Sequence, residues 1–301
     1  MKKYLRYADV FVLFAGALGL LLRLIMRLGG TDHRGLYPAN HPAWIILCLF
    51  SIAVVVLLWL LTRQVGADHR YHKNFPASTP GAIGTALAAV GIVITAINVF
   101  NGEILPSIVG ILGLLSAAAL LPAAWLRHLG KKPPFLCHAL PAFFFALRIF
   151  LLGKDLGDEP EFSRFLFEVL ASLAIVPACY QLWGFDVDLG KRDKSLFWSL
   201  TATYLCIVAI VGMENWLLYL TCGAWLLTNT CSLQYLPKKM RPAQQDPEDA
   251  ENEPSDEAVA EAPAEPVSTA PVAETPADPI EEIDPEAILA EILRDIDKNV
   301  E

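Results

Sequence analysis

Residues 81–126 read GAIGTALAAVGIVITAINVF-NGE-ILPSIVGILGLLSAAALLPAAWL, and this stretch decides the fold. A helix that crosses a bilayer needs about 20 mostly apolar residues, because the hydrocarbon core is about 30 Å thick and each residue rises about 1.5 Å. Two such runs follow one another here. Only Asn101-Gly102-Glu103 separates them, and Glu103 is the one charged residue in the stretch. The reading is two transmembrane helices joined as a tight hairpin.

Working outward, six more runs of this kind are found. The full set lies near 8–28, 43–62, 81–100, 104–126, 135–152, 163–184, 195–213 and 216–236. The fifth is the shortest. Glu214-Asn215 splits the last two into a second hairpin. The expected fold class is therefore all-α: a polytopic transmembrane bundle of about eight helices over residues 1–241. Lys2, Lys3 and Arg6 before the first run resemble a signal-peptide n-region. That run is long and ends in Arg23 and Arg27 without an A-x-A-like site, so an uncleaved first helix is expected.

Composition agrees. Of 301 residues, 54% are hydrophobic and only 18% charged, against about 25% charged in a soluble domain. The formal net charge of -9 excludes the basic face that nucleic-acid binding requires. It also conceals a division. Residues 1–245 hold 21 Lys and Arg against 13 Asp and Glu, a net +8, whereas residues 246–301 hold 2 against 19, a net -17. Six cysteines (Cys48, Cys137, Cys179, Cys206, Cys222 and Cys231) fall inside apolar runs and read as small packing residues rather than a disulfide framework.

Orientation follows from the Lys and Arg bias of short loops. With the N-terminus inside, inner segments hold 15 basic residues and outer segments 4. Both termini are then cytoplasmic. Trp44 and Trp216 mark the outer interface, and Trp59, Trp125, Trp183 and Trp198 the inner one, as an aromatic belt requires.

An internal repeat is suggested. Leu22-Arg23-Leu24-Ile25 is echoed by Leu147-Arg148-Ile149-Phe150. Each is followed by an outer loop, a Glu-containing turn and a Lys-Lys helix end. Two four-helix halves of equal orientation would follow, related by an axis along the membrane normal. The alternative is that any polytopic chain has acidic outer turns and lysines at its inner ends.

Charges inside a bilayer are costly and face protein or water more often than lipid. Arg23, Arg148, Glu168, Glu103 and Glu214 all fall toward the outer half and form the candidate ligand-binding set, suited to a small polar or anionic solute. Two bland readings stand beside it: structural Arg–Glu pairing, and snorkelling of the arginines to headgroups. Asp9 sits at the inner edge, where the interface alone accounts for it. His33 and His41 beside Asp32, and His69 with His72, match no strong metal spacing, and no metal or other cofactor is expected. His138 reads as a hydrogen-bonded residue of the bundle. Pro106, Pro122, Pro141 and Pro177 are helix breakers within spans, of the kind transporters use around a midplane site. Gly84, Gly91, Gly110 and Gly113 mark close-packing faces. The outer loop with Asp155, Asp158, Glu159 and Glu161 reads as solvated. No hydrolase, P-loop, zincin or dinucleotide motif is present, so no enzyme is expected.

Residues 242–282 are Pro-, Ala- and Glu-rich and read as a disordered acidic linker. An amphipathic helix is expected over 283–300, with Asp284 as N-cap and Pro285 in the first turn. Ile288, Leu289, Ile292, Leu293 and Ile296 share one stripe. Nothing in the linker covers that stripe, so it is the candidate surface for a cytosolic protein partner. The bilayer is the other expected partner.

The Leu-Arg helix end, the Gly35-Leu36-Tyr37-Pro38 outer loop and the paired halves resemble bacterial multi-spanning membrane proteins of gut-type anaerobes. Ile288-Leu289-Ala290-Glu291 resembles acidic tail ends on other such proteins. No activity is assigned to that group, so the resemblance implies a membrane location and fold only. The leading functional expectation is a non-enzymatic scaffold or regulatory subunit that recruits a partner through its tail. The alternative is a secondary transporter of a small polar or anionic solute.

Overall fold

The computed structural model describes residues 7–29, 42–63, 65, 70–100, 103–158, 162–211 and 215–234. All of them belong to the first of two compact units, Met1–Gln244; the second is Gln245–Glu301. The linker 242–282, the tail helix with Ile288, Leu289, Ile292, Leu293 and Ile296, Glu214, and the loop with His33 and His41 lie outside the described residues.

The described residues are helical, with no strand among them. In chain order the helices are α1 (Ala8–Gly29), α2 (Pro42–Thr62), α3 (Tyr71–Asn74), α4 (Thr79–Val99), α5 (Ile104–His128), α6 (Leu136–Asp158), α7 (Phe162–Asp186), α8 (Arg192–Ala209) and α9 (Trp216–Gln234). Six are long and apolar enough to cross a membrane: Ala8–Leu28, Pro42–Thr62, Thr79–Val99, Ile104–His128, Leu136–Gly153 and Leu166–Asp186. The chain is thus compatible with a multi-pass membrane protein. α2 shows why: it is apolar all round, and only Leu47, Ser51, Val54, Leu58 and Thr62 are buried. Leu49, Ile52, Val56 and Leu60 are left exposed. A soluble protein rarely leaves so large an apolar surface bare.

α8 and α9 have 18 and 19 residues but are more polar. Arg192, Asp193 and Lys194 open α8, and Asn229 and Thr230 lie in α9. They are also the helices most enclosed by protein. Twelve of the residues of α8 are buried, and a helix wrapped by neighbours can carry polar groups that a lipid-facing one cannot.

The packing order is a ring. α4 packs on α5, α5 on α6, α6 on α7, α7 on α8 and α8 on α9, and α9 returns to α4. α1 and α2 pack on each other and on α8. The two candidate halves do not pack alike: α7 lies against α8, but α2 and α4 make no comparable contact. The short α3 segment intervenes between them in the chain.

Local signals set the helix ends. Ser78 caps α4 by accepting a hydrogen bond from the Gly81 N–H at 3.2 Å, with Pro80 in the first turn. α5 and α7 end alike. Gly130 (φ 69°) and Asp188 (φ 57°) take the left-handed conformation. Lys131 N–H then bonds the Leu126 carbonyl, and Leu189 N–H the Gly184 carbonyl, the Schellman pattern that satisfies orphan carbonyls. Pro106, expected as a helix breaker, lies in the first turn of α5, where no helical hydrogen bond is lost. Pro122, Pro141 and Pro177 are inside helices.

Candidate functional site

Two buried polar centres stand out, one near each end of α7. At the first, α6 contributes Arg148 and α7 contributes Glu168. Arg148 Nη2 donates to Glu168 Oε1 at 2.8 Å, and each residue is only 2% exposed. Taking an ion pair out of water costs several kcal/mol per ion and is offset only when further hydrogen bonds complete the site. Here they do. The Tyr219 hydroxyl, from α9, donates to Glu168 Oε1 at 3.1 Å. The same hydroxyl lies 3.0 Å from Ser172 Oγ, one turn beyond Glu168 on α7. Asn215 Nδ2 adds a longer contact to Oε1 at 3.5 Å. Arg148 Nε is buried with no hydrogen-bond partner among the described atoms.

Arg23 of α1 reaches the neighbouring residue of α7, Phe167. Its guanidinium sits 5.4 Å over the Phe167 ring, which also meets Trp44 edge-on at 5.8 Å. Arg23 Nη1 donates to the Val208 carbonyl at 2.8 Å. That carbonyl is one of the orphan acceptors in the last turn of α8, where a cation also complements the helix dipole. Neither arginine faces lipid. Of the five residues expected to form one site, Arg148 and Glu168 meet and Arg23 lies alongside. Glu103 is exposed at the N-cap of α5.

The second centre surrounds the other end of α7. His138 Nδ1 and Asp186 Oδ2 lie 2.6 Å apart, with both residues buried. Trp225 of α9 stacks on the His138 ring, with centroids 6.1 Å apart and planes 9° from parallel. Asp186 Oδ1 and the Trp225 indole nitrogen have no hydrogen-bond partner among the described atoms.

The segment 70–78 crosses this end and is pinned there. Asp188 pairs with Lys132 and accepts the Tyr71 N–H at 2.9 Å. Burial raises the Asp188 carboxyl, but Lys132 and the Tyr71 N–H outweigh it and hold it below its ordinary value. The Arg127 guanidinium lies 4.3 Å over Phe75 and hydrogen-bonds the Tyr71 phenol. Burial pushes that phenol above its ordinary value against the pull of Arg127, so Tyr71 stays a neutral phenol whose oxygen accepts from the guanidinium. A pocket lined by Tyr71, Phe75, Thr85, Arg127, His138 and Asn229 has room for roughly one water molecule.

Sequence reasoning found His138 as a bundle hydrogen-bonder but missed Asp186, Asp188 and their partners. A signal existed: Asp186 and Asp188 are acidic residues on a helix end whose neighbouring segments are basic. Asp9, read as an interfacial residue, is buried and lies 2.9 Å from the Thr230 hydroxyl of α9. Among the described residues, no three His, Cys, Asp or Glu side chains are grouped to hold a metal ion.

No protein family, curated protein or solved structure matches this chain.

Proposed function

We propose that this is a non-enzymatic multi-pass protein of the bacterial cytoplasmic membrane, a scaffold or regulatory subunit. It spans the bilayer eight times with both termini cytoplasmic. An acidic, disordered linker over 242–282 then carries an amphipathic helix, 283–300, that recruits a cytosolic protein. α8 and α9 support the count of eight: 18 and 19 residues give about 27 and 28 Å of helix. The 15-to-4 distribution of basic residues supports the orientation.

One observation carries the choice of scaffold over transporter. Two of the candidate charges are spent on each other: Arg148 and Glu168 are paired at 2.8 Å and 2% exposed. A solute site would need such groups turned toward a cavity. Ligand pockets are usually about 300–1,000 Å³, far more than the water-sized space beside His138.

The test compares the full chain with a variant ending at residue 282, both crosslinked in native membranes. The expected result is one cytosolic protein captured stoichiometrically by the full chain and absent from the truncated one, with equal thermal stability of the two bodies. Equal capture by both sinks the proposal. The alternative is a secondary transporter of a small polar or anionic solute. It predicts uptake of such a solute into proteoliposomes, lost in R148A.

A further inference from the structure

The left-handed residues Gly130, after α5, and Asp188, after α7, open two turns that lie side by side, because Lys132 of one pairs with Asp188 of the other. We propose that these two turns form a headgroup site for anionic phospholipid. Lys131 and Lys191 hold the phosphate, and Leu129, Phe135 and Leu189 enter the lipid beside them. The inference rests on the multi-pass reading, but neither on the scaffold role nor on which side of the membrane this end faces.

The charge here is one-sided. Asp188 is the exposed carboxylate of these turns, and Lys132 and the Tyr71 N–H already occupy it. His72 adds to the positive field around it. Asp186 is buried against His138. Asp193, in the first turn of α8, is half-buried. Lys73, Lys131, Lys191 and Lys194 are exposed and form no ion pair among the described residues. Surplus lysines at the end of a bundle are drawn to the negative surface of a leaflet that contains acidic lipid.

The apolar residues point the same way. Leu189 N–H closes the Schellman turn of α7, a position from which an apolar side chain commonly folds back onto its own helix. Leu189 is instead 75% exposed. Phe135, between α5 and α6, is 54% exposed, and Leu129 beside Gly130 is exposed as well. Exposed leucine and phenylalanine next to unpaired lysines suit the boundary of a bilayer. There the apolar side chains meet acyl chains, while lysine stems carry their ammonium groups out to phosphate.

Helix length sets the depth. α5 and α7 have 25 residues each, which is about 37 Å of helix against about 30 Å of hydrocarbon. The surplus carries helix ends into the headgroup layer. Trp125, exposed one turn before the end of α5, marks the boundary as an interfacial aromatic does.

The experiment reconstitutes the full chain in nanodiscs of equal parts phosphatidylcholine and phosphatidylglycerol. Native mass spectrometry then counts the lipids that the released chain retains. The wild type should retain phosphatidylglycerol in preference. K131Q/K191Q should lower the ratio about fivefold or more at an unchanged melting temperature, and K131R/K191R should keep it. R63Q removes an exposed cation that stacks on Trp59 of α2, away from the two turns in the chain, and should leave the ratio as it was. Wild-type retention in the proportions of the bilayer overturns the proposal. An equal loss in R63Q and K131Q/K191Q does so too, because the attraction then belongs to the whole face. Displacement of the retained lipid by soluble glycerol phosphate would assign the lysines to a free phosphate ester and also overturn it. A chain that does not enter nanodiscs overturns the membrane reading and this inference together.

Discussion

Arg148 and Glu168 meet at 2.8 Å with only 2% of either residue exposed. The pair joins α6 to α7, and Tyr219 adds α9. Removing one partner strands the other charge in the bundle. R148A or E168A should lose about 3–5 kcal/mol of stability, and a hydrophobic double replacement, R148M/E168L, should be closer to the wild type than either single change. Unfolding in detergent reads all three. Single variants within about 1 kcal/mol of the wild type would show that the pair is not structural.

The α4–α9 seam rests on matched spacing. Gly84 and Gly91 are seven residues apart on α4, as are Thr221 and Thr228 on α9. A Cβ at Gly91 would lie 2.0 Å from Thr221 Oγ1, and one at Gly84 would lie 2.2 Å from Thr228 Oγ1. G91A should therefore destabilise the body by about 1–3 kcal/mol. G91A/T221A should recover most of that loss in the same melting assay, because the clashing hydroxyl is gone.

Asp188 gives a pH prediction. Its carboxyl is held below the ordinary value in the folded chain. Its contribution is therefore whole above the unfolded pKa of about 3.9 and is lost as pH falls through the lower folded value. D188N keeps a residue type that tolerates the left-handed backbone while removing the charge. The melting temperature of D188N should vary less steeply below about pH 4 than that of the wild type. Parallel curves would assign the acid sensitivity elsewhere.

Topology is checked by a fluorescent-protein fusion after residue 245. The expected outcome is bright cytoplasmic fluorescence. A dark, exported fusion would reverse the orientation or change the number of spans.

The helices were legible because bilayer thickness sets their length and composition together. Residues 81–126 needed nothing else. Arg148 and Glu168 were legible as costly charges, but their pairing was not, because sequence separation says nothing about which helices adjoin. Glu103 lies at the helix start where the sequence placed it, but there it is exposed. Asp186 was overlooked for the converse reason: an acid at the end of an apolar run is usually solvated, and its partner His138 lies on another helix. The ring order, with α1 and α2 outside it, depends on close approaches such as those of Gly84 and Gly91. Small residues permit these approaches without naming the partner.

The Arg23 hydrogen bond to Val208 spans 185 residues. At about 5–20 residues per second, a ribosome needs roughly ten to forty seconds to cover that distance. Throughout that interval α1 is in existence and the carbonyl that receives its arginine is not. The nascent chain must therefore carry this arginine without its α8 acceptor until α8 emerges. Assembly of this bundle is thus timed by its last third, and a ribosome stalled before Val208 leaves Arg23 without its acceptor.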